Sequence, residues 1–187
     1  MKWLLLMVLA FSYGCSPEVY HLAVDSDFTD HEVDMINDSV DQWMTACDCD
    51  AAGVFMRYDL HDNDDTLTYQ EWSRRGKYGR MWKVYTSDPA YQQESSKRGS
   101  FTGLEKGTPW QNGNIAIVMD RIHSDAAFQA VVMHELGHMY GVGHLPTGLM
   151  APTFDVRKAV YDCVDWDALV KFCDKHDCGP EAAPTCK

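Results

Sequence analysis

No run of apolar residues in this 187-residue chain is long enough to cross a bilayer. The longest, Trp3 to Phe11, has nine, less than half of the roughly 20 that a spanning helix needs. That excludes a multi-span membrane protein. Positive charge is also scarce: 16 Lys and Arg stand against 28 Asp and Glu, a net charge of -12. A surface of that sign repels phosphate backbones, so no nucleic-acid partner is expected, while cations and basic peptides are tolerated or bound. Internal repeats and long low-complexity stretches are absent too, which excludes a solenoid and a disordered acidic tail. With 45% hydrophobic and 24% charged residues, what remains is one globular domain, large enough to bury a real core.

The apolar run at the start suits the core of a secretory signal better than a buried strand, because a lone Lys2 precedes it and small or polar residues follow. Residues 1–14 therefore read as a signal peptide. Ser12-Tyr13-Gly14-Cys15 resembles the cleavage box of bacterial lipoproteins, in which the cysteine becomes the lipid-bearing N-terminus, although an aliphatic residue is usual where Ser12 stands. Ordinary signal-peptide cleavage fits the small residues as well. Seven cysteines are present; setting Cys15 aside leaves Cys47, Cys49, Cys163, Cys173, Cys178 and Cys186. Six can form three bridges in an oxidising compartment, with at least one inside residues 163–186, and the connectivity stays open. The expected location is outside the cytoplasm, either secreted or lipid-anchored through Cys15 to the bacterial cell envelope.

Along the mature chain, Val19 to Val24 reads as a first strand. Thr29 and Glu32 then have capping-box spacing, and Phe28 and Val33 have hydrophobic-staple spacing. Apolar residues at Val33, Ile36, Val40, Trp43 and Met44 keep the helical interval, which predicts a helix ending near Cys47. Gly53 to Tyr58 reads as a strand and Asp59 to Asp65 as a polar loop. Residues 66–112 show no clear period and read as long loops with short strands. Asn114 to Met119 predicts a buried strand. Ser124 or Asp125 can cap the next helix, with Phe128, Val131, Val132, Leu136 and Met139 as apolar positions and Gly141 placed to stop it. Asp165 can cap a last helix through about Lys175. This order of elements predicts an α+β or α/β domain.

Residues 134–144 read HELGHMYGVGH. On a helix, His134 and His138 are four apart, so both imidazoles leave the same face and can share one metal ion. Glu135, rotated away from that face, does not ligate yet stays close to water on the metal. A third ligand is needed, and a straight helix would carry His144 away. Gly141 and Gly143 allow a sharp turn that returns it. Three His, one Glu and one Gly at these places would arise by chance in about 4 of 100,000 chains of this composition, so a fortuitous arrangement is set aside.

This stretch resembles the metzincin clan of zinc endopeptidases, whose pattern is H-E-x-x-H-x-x-G-x-x-H followed by a Met-turn. Gly148-Leu149-Met150-Ala151-Pro152 is similar to that turn, in a form closest to matrixin-like members. The resemblance implies zinc held by His134, His138 and His144, Met150 beneath it, and Glu135 as general base and acid for hydrolysis of peptide bonds by a Glu-activated, zinc-bound water. It implies an α+β, metzincin-like zincin fold: a twisted mixed sheet, two upstream helices of which the second carries the ligands, and a small disulfide-tied C-terminal subdomain. The boundaries would be 15–144 for the upper part and 145–187 for the lower, with the cleft between them. A monomer acting on protein or peptide substrates is expected. The chain departs from the family in three places. Met150 follows His144 by only six positions, no Tyr lies two residues past Met150, and no propeptide with a cysteine switch fits between Cys15 and the first strand.

Asp62-Asn63-Asp64-Asp65-Thr66-Leu67 with Glu71 resembles a degraded EF-hand loop, giving Asp62, Asp64 and Glu71 as calcium candidates. Leu60 and Asp65 occupy a ligand and a glycine position wrongly in that register, so a solvated acidic loop is the competing reading. His21, His31, His61, His123 and His176 share no ligand spacing. Trp72, Trp82 and Trp110 either pack in the core or line a groove. Two functional alternatives stand beside the peptidase: a zinc-binding pseudoprotease or envelope binding protein without proteolytic activity, and a small calcium-binding envelope protein.

Overall fold

The computed structural model describes residues 18–44, 47–48, 56–62, 78–107, 113–153, 163–175 and 179–180. The signal segment, Cys15, Asp64, Glu71, Trp72 and Trp110 lie outside them. Five strands form one mixed sheet: β1 (Glu18–Val24), β3 (Met56–Asp62), β4 (Tyr78–Val84), β5 (Gly103–Lys106) and β6 (Gly113–Val118), in the order β3-β1-β4-β6-β5. The first four strands of that order run parallel, and β5 closes the sheet antiparallel to β6, Gly103 opposite Ile117 and Glu105 opposite Ile115. A two-residue β2 (Cys47–Asp48) pairs with β7 (Gly179–Pro180). The α-helices are α1 (Asp30–Met44), α2 (Pro89–Arg98), α3 (Asp125–Met139) and α4 (Trp166–Lys175). None of the described helices is long and apolar enough to cross a membrane.

Central strands of a parallel sheet are covered on both faces, and consecutive Leu22, Ala23 and Val24 of β1 are all buried. Helix α1 starts where its cap dictates. The Glu32 carboxylate accepts from the Thr29 amide at 2.7 Å, and the Glu32 amide donates back to the Thr29 hydroxyl at 3.3 Å, the two halves of a capping box. Glu32 also accepts from Lys83 of β4 at 2.8 Å, which ties the helix start to the sheet. The apolar face of α1 then buries Ile36, Val40 and Trp43. Trp43, fully buried, donates its indole N–H to the Met133 carbonyl of α3 at 3.0 Å. Its ring meets Tyr140 edge-on at 5.9 Å and Phe172 of α4 at 5.3 Å. One side chain thus joins three helices.

Two expectations need correction. The strand anticipated at Gly53 to Tyr58 is β3, Met56–Asp62, so the first part of the expected polar loop lies inside it. Pairing with β1 decides this: Asp59 faces His21 and Asp62 faces Val24 across the ladder, and such pairing overrides the weak strand propensity of Asp. The second correction is α2, a third helix upstream of residue 145 where loops and short strands were expected. It buries only Tyr91, so no apolar period announced it. Its punctuation was present, with Pro89 at the first turn, Lys97 and Arg98 in the last, and Gly99 as C-cap.

Candidate metal centre

Helix α3 begins at Ser124, whose hydroxyl accepts from the Ala127 amide at 3.2 Å, a serine N-cap. Eleven of its fifteen residues are buried, as expected of a helix hydrophobic on every side. His134 and Glu135 are each only 6% exposed within this packing. The helix ends at Met139, and Gly141 follows with φ of 86°. That left-handed conformation is cheap for glycine alone, and it reverses the chain so that His144 comes back to its two helical partners.

The three imidazoles converge. His134, His138 and His144 each offer a ring nitrogen, and these atoms all lie within 4.8 Å of one another. No other group of three such donors gathers among the described residues. Tautomers follow from the far side of each ring. His134 Nδ1 is 2.6 Å from the Leu149 carbonyl, and His138 Nδ1 is 2.9 Å from the Val142 carbonyl. A carbonyl only accepts, so each Nδ1 carries the proton and each Nε2 presents a lone pair. His138 Nε2 and His144 Nε2 then stand 3.1 Å apart. Two nitrogens bound tetrahedrally at zinc distances would be about 3.3 Å apart. Burial is the main force keeping His134 neutral, pushing its pKa down to about 4 despite the Leu149 contact, and burial lowers His138 likewise. Neutral imidazoles with outward Nε2 lone pairs are the state a divalent cation requires, so this donor set fits zinc.

The segment past His144 is held from α4. The Asp165 carboxylate accepts from Leu149 N at 2.6 Å and from Ala168 N at 3.1 Å, so it caps α4 and anchors Leu149 together. Leu149 in turn holds His134. Met150 is fully buried beneath the helix, against Gly137.

Facing the histidines is β5. A Cβ on Gly103 would meet Glu135 Oε1 at 2.5 Å and Val131 Cγ1 at 2.7 Å, so only glycine lets the strand lie this close to α3. Strand alternation turns Glu105 to the same side. Its carboxyl is pushed up to about 7, chiefly by burial, with Arg98 acting the other way. Glu135 is pushed up to about 8, first by burial and then by the charge of Glu105, and the Glu105 amide partly offsets this by hydrogen bonding to it. Between these walls lies an open cavity of about 410 Å³, bounded by Phe101 to Glu105 on one side and by Pro152 and Thr153 on the other, with the three histidines and Glu135 at its base.

Of the residues singled out in the sequence, the fold gathers the three histidines, sets Glu135 in the same cavity and packs Met150 against Gly137. Sequence reasoning missed Gly103, Glu105 and Asp165 in its second role. Their only signals were a Gly and a Glu two apart on a short strand, and an Asp that a helix start already explained. Of the calcium candidates, Asp62 ends β3, while Asp64 and Glu71 lie outside the described residues. His31 pairs with Asp125 at 3.0 Å on the surface. Trp82 lies under the Arg80 guanidinium, 3.5 Å from its ring centre, beside a separate, largely apolar cavity.

No protein-family model matches this chain, and no curated protein matches it in sequence. Among solved structures, it is similar to metalloproteinase-II from Bacteroides fragilis, with a TM-score of 0.50 at 13% identity over 87% of this chain. It spans 54% of that protein's length. The GM1-bound form of the ECX AB5 holotoxin matches with a TM-score of 0.42 and 12% identity, over 76% of this chain and 69% of that one. The likeness to the Bacteroides protein is one of fold: the chain is α+β and metalloproteinase-like.

Proposed function

We propose that this protein is a zinc-dependent endopeptidase of metzincin type, closest to matrixin-like members, with His134, His138 and His144 as zinc ligands and Glu135 as the catalytic base and acid. The observation that carries the reading is the convergence of three imidazoles beside a buried glutamate at the base of an open cavity. Zinc held there supplies a Lewis acid that polarises a carbonyl and acidifies water.

The chain's own residues do the rest. Glu135 accepts the proton of the attacking water and returns it to the departing amine. Its carboxyl, at about 8 without a cation nearby, moves down when positive charge stands beside it, toward the range where both transfers are accessible. Among the described residues β5 has a strand partner on one side only. An extended peptide laid along its other edge, across the cavity, would place a backbone carbonyl over the histidines. The Leu149 carbonyl keeps His134 in place.

The further parts of the reading rest on sequence. The protein is exported after removal of residues 1–14, secreted or anchored through a lipidated Cys15, and monomeric. Its catalytic domain divides into 15–144 and 145–187, and disulfides tie the lower part; Cys163 and Cys173 are in the disulfide-bonded form. The test is cleavage of an unstructured protein substrate by zinc-loaded wild type and by Glu135→Ala. The variant should retain stoichiometric zinc and lose about a hundredfold or more in rate. Equal rates would sink the assignment, and zinc binding with no cleavage by either protein would favour the pseudoprotease.

A further inference from the structure

We propose that Glu105 is a specificity-determining residue, and that the preferred substrates carry a lysine or arginine side chain close to the scissile bond. The inference rests on the peptidase reading above. Glu105 lines the same cavity as the histidines and Glu135, on the wall where a peptide would lie. Its Oε1 is buried and has no hydrogen-bond partner among the described residues. A buried carboxylate oxygen without a donor is costly. The cation that acts on it, Arg98, sits on α2 with its Nε 3.5 Å from the Glu94 carboxylate, so its charge is shared with another acid. Among the described residues no Lys or Arg lines the cavity, and the chain as a whole carries -12. A guanidinium or ammonium entering with substrate would meet the Glu105 carboxyl from the cavity side and supply the missing charge. An acidic substrate side chain would meet two carboxyls. An apolar one would leave the carboxyl without a counter-charge.

Zinc-loaded wild type, Glu105→Gln and Glu105→Lys are each given octapeptides that differ only by Lys, Leu or Glu, scanned from three residues before to three after the cut. The ratio of kcat/KM for Lys over Leu is the readout, because any general effect of Glu105 on Glu135 cancels in it. At one position the wild-type ratio should be about tenfold or more, the range for a charge-assisted hydrogen bond. Glu105→Gln should bring it to within about threefold of one, the residue of a neutral hydrogen bond. Glu105→Lys should reverse it in favour of the Glu peptide. A wild-type ratio near one at every position, or a ratio unmoved in Glu105→Gln, overturns the proposal and leaves the peptidase standing. If wild type cuts none of these peptides and no protein substrate either, both readings fall.

Discussion

Helices α2 and α3 flank β5 and β6 in the sequence, and they are built by opposite means. Helix α3 has eleven buried residues, α2 has one. Packing on all sides fixes the angle at which α3 presents its two histidines, and Trp43, Tyr140 and Phe172 lock it against α1 and α4. Helix α2 rests on Tyr91, and its Glu94 pairs with Lys97 and Arg98 of the same helix and with Lys106 of β5. A metal site needs ligand atoms placed to within a few tenths of an ångström, and a close-packed interior supplies that while exposed ion pairs do not. Two of the three proposed ligands therefore sit on the buried helix.

Substitutions should divide along the same line. Trp43→Ala removes the ring that joins α1, α3 and α4 and should cost about 3–5 kcal/mol in urea unfolding; a loss below 1 kcal/mol would show that the junction is dispensable. Gly137→Ala comes next. A Cβ there would lie 2.5 Å from Met150 Sδ and 2.8 Å from Trp43 Cζ2, and overpacking of this kind costs about 1–3 kcal/mol. Its zinc affinity should fall with stability, since the shift is felt beside His138.

The pH dependence of the chelated protein is a smaller and more specific probe. Glu135 at about 8 and Glu105 at about 7 both lie above the ordinary glutamate value of 4.5. The folded protein therefore holds protons that the unfolded chain releases, and stability declines as pH rises through that interval. His134, lowered to about 4 from 6.5, acts in the opposite sense, adding stability as pH rises from 4 to 6.5. Below pH 6.5 the two effects oppose each other. Between pH 6.5 and 8 the carboxyls act without His134, so the melting temperature should drop, and Glu135→Gln should remove much of that drop. A flat wild-type profile in this window would show that the two glutamates ionise freely.

The smallest effect belongs to α2. Glu94→Ala deletes three pairings whose cations are solvent-exposed, and should move the melting temperature by no more than about a degree. A larger shift would mean that the surface network carries α2 after all.

Local signals were read well wherever they were chemical and short in range. The Thr29–Glu32 capping box, the Ser124 cap, the Gly141 stop and the Asp165 cap all occur as spaced. Reading failed where pairing or solvent exposure decides. Strand β3 extends through Asp59 and Asp62 because β1 pairs with it there, and α2 lacks an apolar stripe because it needs none.

Interval alone placed His134 and His138 on one helix face and set a hinge before His144, because helical pitch and glycine's left-handed turn are properties of a few consecutive residues. Tertiary structure decided what surrounds them. That the Leu149 carbonyl orients His134, that Gly103 admits β5 against Glu135, and that Glu105 lines the cavity all depend on strands and turns brought together from separate segments. Contacts of that kind leave no period and no spacing in the chain.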